Sequence, residues 1–157
     1  MTLGDLDTAA RAFGRETDLY RELGDRLFEA SSLGNVAEVA LRRGDIKEAA
    51  SRQRASLELA LQLGMPVMVA FSLITAARVA GERNHWEVAV KLDSRAKVVL
   101  ESTGYVLYPS DQDAINRMRS LARERLGAEA FAKASDLGHN LELPEAAALA
   151  DEVLASA

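Results

Sequence analysis

Apolar residues recur along this chain at intervals of three and four. From Asp5 to Leu23 they fall at Leu6, Ala9, Ala10, Phe13, Tyr20 and Leu23. From Asp45 to Leu63 they fall at Ile46, Ala49, Ala50, Leu57, Ala60 and Leu63, and from His85 to about Ser102 at Trp86, Ala89, Val90, Ala96, Val99 and Leu100. That spacing gathers side chains on one face of a helix, the amphipathic pattern. A second set of helices is expected at about 26–43, 66–83 and 110–126, alternating with the first, and two short helices at about 128–137 and 144–154 close the chain. Pro66 suits a first helical turn, where its missing N–H would be unpaired anyway. Ser110 suits an N-cap, with Asp111 in the first turn, where negative charge suits the helix dipole. Leu141 and Leu143 are expected under the last helix pair, with Pro144 starting the final helix. No segment alternates apolar and polar residues over a convincing length. Tyr105-Val106-Leu107-Tyr108 comes nearest, and its place in an extended loop marks it as an apolar plug under the third hairpin. The pattern predicts an all-α protein.

The elements also repeat at a period of 40 residues. Gly4-Asp5-Leu6 and Ala9 return as Gly44-Asp45-Ile46 and Ala49, then as Asn84-His85-Trp86 and Ala89. The pairs Ala30/Ala70, Leu33/Leu73, Ala37/Ala77 and Ala40/Ala80 keep the same spacing, as do Gly24, Gly64 and Gly104. A fixed period of this size marks stacked helical units, none able to bury its apolar face alone. The repeats run over about 4–43, 44–83 and 84–126, with a C-terminal cap over 127–157. Gly24, Gly44, Gly64, Gly104 and Gly127 fall where one helix stops and the next begins, the usual place of a left-handed C-terminal cap. Asn84 tolerates that geometry better than most residues.

Composition narrows the function. With 48% hydrophobic and only 5% aromatic residues, the chain relies on Ala and Leu, which favour close-packed helices. There is no cysteine, so disulfides, thiol catalysis and Cys-based zinc sites are excluded. No apolar run approaches the roughly 20 residues that cross a bilayer, and the first residues lack the basic and apolar regions of a secretory signal; a cytoplasmic setting is expected. The formal net charge is −5, and residues 127–157 carry all of it, with 6 acidic side chains against 1 basic. No one-sided basic surface forms, so direct nucleic-acid contact is not expected. Arg117, Arg119, Arg123 and Arg125 divide between two sides of one helix and read as surface pairing. His85 and His139 share no metal-ligand spacing, and no phosphate loop, HExxH or serine elbow is present. Neither catalysis nor a cofactor or metal is expected.

The run Val36-Ala37-Glu38-Val39-Ala40-Leu41-Arg42-Arg43-Gly44-Asp45-Ile46-Lys47-Glu48-Ala49 resembles the tetratricopeptide (TPR) repeat, with small residues at Ala37 and Ala40, a Gly44-Asp45 corner and a returning Ala49. The period exceeds the family's usual value of about 34. The lengthened repeat is similar to the C-terminal repeats of maltose-regulator-type and LuxR-type bacterial transcription regulators and signalling ATPases. The closing stretch Leu126-Gly127-Ala128-Glu129-Ala130-Phe131, with Gly138, Leu141, Leu143 and Pro144-Glu145-Ala146, adds to that likeness. The resemblance implies a right-handed superhelix of antiparallel helix pairs, serving as a protein-interaction or regulatory scaffold. It also implies a piece of a longer regulator whose ATPase module precedes the repeats. A free-standing adaptor bridging two proteins is the alternative, and a helical-repeat hydrolase a distant third.

In TPR arrays the first helix of each pair lines the concave groove. Carried onto this chain, those positions are Asn35, Glu38 and Arg42, then Ile74, Arg78 and Glu82, then Arg117, Leu121 and Arg125. Mixed charges around a few apolar residues suit an extended peptide or a partner helix; the plainer reading is the solvated face of amphipathic helices. A repeat array needs polar terminal caps, and the helix at 5–23 has none before it. Leu6, Phe13 and Tyr20 are therefore expected to form a self-association face, giving a homodimer.

Overall fold

The computed structural model describes residues 3–157, apart from the side chains of Leu3 and Ser110. Among the described residues there are eight α-helices and no strand: α1 (Leu3–Leu23), α2 (Arg26–Arg43), α3 (Ile46–Gln62), α4 (Pro66–Glu82), α5 (Trp86–Thr103), α6 (Pro109–Leu126), α7 (Ala128–His139) and α8 (Leu143–Ala155). The corners between them follow one rule. Gly24, Gly44, Gly64 and Gly104 adopt φ of 72°, 77°, 64° and 68°, and Asn84 takes the same role at 63°. The residue after each of them donates its N–H to the carbonyl five positions back: Asp25 to Tyr20, Asp45 to Ala40, Met65 to Ala60, His85 to Ala80 and Tyr105 to Leu100. This satisfies carbonyls that a helix end would otherwise leave open. Asp25 and Asp45 then cap the next helix, their carboxylates accepting from the N–H groups of Phe28 and Glu48. His85 stands at the same place without a side-chain cap.

From α1 to α7 each helix packs against its neighbour in sequence, and α4 also touches α2 and α6. This arrangement fits a helical repeat. The alanines that recur every 40 residues are what allow the close approach: Ala30, Ala37, Ala49, Ala70, Ala77 and Ala89 are all fully buried. α4 lies at the centre, buried around almost its whole circumference, as a helix with only Arg78 and Glu82 charged must be. Trp86 joins the core in the corner position of the third unit. Its ring lies so close to Gly81 that a Cβ there would sit 3.1 Å from it.

Three expectations need correction. α6 begins at Pro109, with Tyr108 rather than Ser110 at the N-cap position, because proline is admitted at the first helical turn. Gly127 has a positive φ of 79° but an extended ψ of 165°, so it joins α6 to α7 without being a left-handed cap. The final helix starts at Leu143, one residue before the expected Pro144, and Leu141 and Leu143 pack against the main core. α7 pairs with α5, and α8 turns back across α3, α4 and α5. Arg54 on α3 donates to Asp151 on α8 at 2.7 Å, and Arg83 after α4 binds Ser156. α8 opens on a reciprocal capping box between Glu142 and Glu145. Its Ala146, Ala147, Ala150, Val153 and Leu154 enter the main core.

Candidate functional site

The side formed by α2, α4 and the start of α6 holds a cavity of about 330 Å³, roofed in part by the loop between α5 and α6. Each wall follows from local sequence. Gly34 and Asn35 come from α2, on the side where α2 meets α4. Met68, Phe71, Ile74 and Thr75 come from α4, at spacings of three and four that align them on one face. α3 contributes Gln53 and Ser56 from behind, and α6 contributes Asp111 and Ile115. The Tyr105-to-Tyr108 segment plugs the site only partly. Leu107 packs on the core and Tyr105 meets Phe71 edge-on at 5.3 Å, but Val106 is 80% exposed.

A chain of charges runs along the rim. Glu38 accepts from Arg42 at 2.7 Å on its own helix and from Arg78 on α4, and Arg42 lies 3.9 Å from Asp111 on α6. Glu38 and Arg78 are 40 residues apart, so this ion pair joins the same position of two successive repeats. These side chains are half-buried, in less water than an open surface pair, which makes their mutual attraction count for more.

Of the nine positions predicted for the groove, the structure brings Asn35, Glu38, Ile74 and Arg78 to this cavity, with Arg42 joined through its bond to Glu38. Glu82 is exposed at the end of α4 and lines no part of the cavity. Arg117, Leu121 and Arg125 also stay outside, all three exposed. The reason is position in the row. α4 is flanked by α2 and α6, so its groove positions are enclosed, whereas nothing packs beyond α6 on that side. α6 meets the cavity through Asp111 and Ile115 instead. Its remaining arginines are engaged locally: Arg119 forms a two-pronged pair with Asp93 at 2.6 and 3.1 Å, and Arg123 lies 4.5 Å over the Phe131 ring. Burial pushes the Asp93 carboxyl above its ordinary range, and Arg119 offsets this only in part.

The cavity residues absent from the sequence reading are Ser31, Gly34, Gln53, Ser56, Met68, Phe71, Thr75 and Ile115, and the two tyrosines entered it only as part of the plug. Only the apolar loop carried any signal for them. At the other end of the molecule, Leu6 is 6% exposed and faces into the fold, and Tyr20 stacks on Phe28 at 5.2 Å. Phe13 is half-buried. The exposed apolar surface there consists of Leu19, Leu23, Leu27 and Phe28. His85 and His139 are exposed, and among the described residues no group of His, Cys, Asp and Glu is placed to hold a metal ion. No helix among the described residues is long and apolar enough to cross a membrane. The chain matches no protein-family model, no curated protein and no solved structure.

Proposed function

We propose that this chain is a TPR-like, non-catalytic scaffold of a cytoplasmic bacterial regulator, binding a protein or peptide partner on the side formed by α2, α4 and the start of α6. The observation that carries the reading is the cavity between successive repeats, where four predicted groove residues line an apolar interior and a fifth, Arg42, is tied to them through Glu38. Concave apolar sites with a few converging polar groups are the usual form of a binding site. Binding rather than reaction is favoured by the state of Glu38, which is already committed to Arg42 and Arg78. A partner that fits one arrangement of the repeats better than another would shift the parent protein between resting and active assemblies. The surface around Leu19 and Phe28 is where the scaffold meets a second copy of itself.

The test is partner capture with Arg78→Glu and Arg117→Glu chains, each checked for helicity. Loss with Arg78→Glu and retention with Arg117→Glu is the expected result. Retention with both would move the interface off this side. The regulator reading further expects an in-frame nucleotide-binding module upstream in the gene; its absence would leave the free-standing adaptor.

A further inference from the structure

Two residues lining the cavity carry polar groups that the fold does not use. Thr75 is 7% exposed, yet its hydroxyl makes no hydrogen bond, not even to the carbonyl one turn back. Gln53 is 2% exposed and donates through Nε2 to Ser72 Oγ at 2.7 Å. Ser72 spends its own proton on the Met68 carbonyl at 3.1 Å, so it can only accept from Gln53. In this arrangement Gln53 Oε1 has no donor within the protein. Neither oxygen is shut off inside the protein: among the described residues the buried side-chain nitrogen or oxygen without a partner is Arg95 Nε, so the Thr75 and Gln53 oxygens keep accessible surface, in the cavity that both residues line. Ser56, by contrast, is satisfied by the Ala30 carbonyl at 2.8 Å.

The walls around these groups are apolar and partly aromatic: Met68, Phe71, Ile74, Leu107 and Ile115, with Tyr105 edge-on to Phe71. Such walls favour a flat ring, whose face and edge suit aliphatic and aromatic neighbours. A volume of about 330 Å³ sits at the small end of ligand sites, enough for one ring or two fused rings. Charge is selected against. Arg42 and Arg78 are both spent on Glu38, and the other carboxylate of the lining, Asp111, sits 3.9 Å from Arg42, so an anion would have to break that network or stay unpaired and a cation would have to compete with Arg42. The free acceptor, Gln53 Oε1, calls for a ligand that donates.

We propose that this cavity binds a neutral aromatic group carrying a hydrogen-bond donor, of the phenol or indole class, with the donor on Gln53 Oε1 and the Thr75 hydroxyl as its second polar contact. The assignment rests on the reading of this side as the binding side and names what enters it. The group belongs either to a free small molecule or to a tyrosine or tryptophan of a bound peptide.

The experiment titrates the full chain with phenol and indole, and separately with a blocked pentapeptide carrying one central tryptophan, followed by NMR shifts and calorimetry. Saturable binding by the free compounds points to a small molecule, and binding by the peptide alone points to a side chain; either supports the class. Toluene and N-methylindole keep the ring without the donor, and are expected to bind about 10-fold more weakly, the value of one hydrogen bond. Thr75→Val, which keeps the shape, is expected to weaken binding roughly 3- to 10-fold. A Cβ at Gly34 would already lie 4.0 Å from Gln53 Oε1, so Gly34→Phe fills the cavity and abolishes binding, while Gly14→Ala on α1, where a Cβ meets nothing, should fold and bind as before. If Gly34→Phe does not fold, Thr75→Val decides the matter. No saturable binding by any probe overturns the proposal, as does equal binding of N-methylindole. Arg78-dependent partner capture without ring binding would overturn this assignment alone and leave the reading of the groove standing.

Discussion

Asp93 shows how unevenly one ion pair can matter to its two members. The carboxylate is 5% exposed, while the Arg119 side chain retains 35%. Removing Arg119 leaves a buried charge unpaired, whereas removing Asp93 leaves an arginine that can turn to water. Arg119→Ala is therefore expected to cost roughly 3–5 kcal/mol at neutral pH, and Asp93→Asn clearly less, by urea denaturation. The sign of the pH effect follows from the direction of the shift. The folded state holds the Asp93 proton more tightly than the unfolded chain does. This group's contribution to stability is thus largest below the ordinary carboxylate pKa and falls as pH rises through the higher folded value. Arg119→Ala should steepen that fall and Asp93→Asn remove it; a profile unchanged in both would show that the pair carries none of the pH dependence. Gly138 makes a second residue-scale prediction. A Cβ there would lie 2.2 Å from the Lys91 carbonyl oxygen, so α7 can cross α5 at that distance only because the side chain is absent. Gly138→Ala should cost about 1–3 kcal/mol by overpacking, whereas at Gly14, where a Cβ meets nothing, the same change should be neutral or stabilising.

At the scale of the element, α8 is the helix that binds the array together. Leu154 is 3% exposed against α3 and α4, while Leu137 on α7 is 49% exposed. Leu154→Ala should cost about 2–5 kcal/mol and Leu137→Ala within about 0.5 kcal/mol, compared by thermal melts. Equal losses would mean that α8 does not pack as described. The same helix marks the limit of what the sequence discloses. Boundaries of α2 and α4 were legible because Gly44, Asp45 and Pro66 act locally, through caps whose geometry depends on neighbours in the chain. Where α8 lands was not, because Leu141 and Leu143 announce burial without naming the surface that buries them. The groove followed the same division. Glu38 and Arg78 meet at the cavity because the repeat carries them to equivalent places, and Arg117, Leu121 and Arg125 lie outside it because the end of a row lacks the neighbour that its middle has. Thr75 and Gln53 gave no sign at all; a hydroxyl and an amide look alike in sequence whether their partners are present or missing.

For the whole molecule, the first unit differs from the others in what covers it. Leu59 and Val99 are 8% and 5% exposed, but Leu19, which holds the same place in the repeat, is 51% exposed. Met68 is half-buried where its counterpart Phe28 is 49% exposed. This end carries apolar positions that the later units bury, and contact with a second copy would hide them. Leu19→Arg together with Phe28→Arg should abolish concentration-dependent association in light scattering; a wild-type chain that stays monomeric at high concentration would exclude self-association.

The ion pair between Glu38 and Arg78 also bears on how this array could have grown or shrunk. Counted from the start of each helix, the third unit carries Leu121 where the first has glutamate and the second arginine. Excising residues 44–83 would set a leucine against Glu38, and duplicating them would set two arginines side by side. Units that look interchangeable by their alanines are thus numbered by their charges, and the chain specifies how many repeats it has as well as how each one folds.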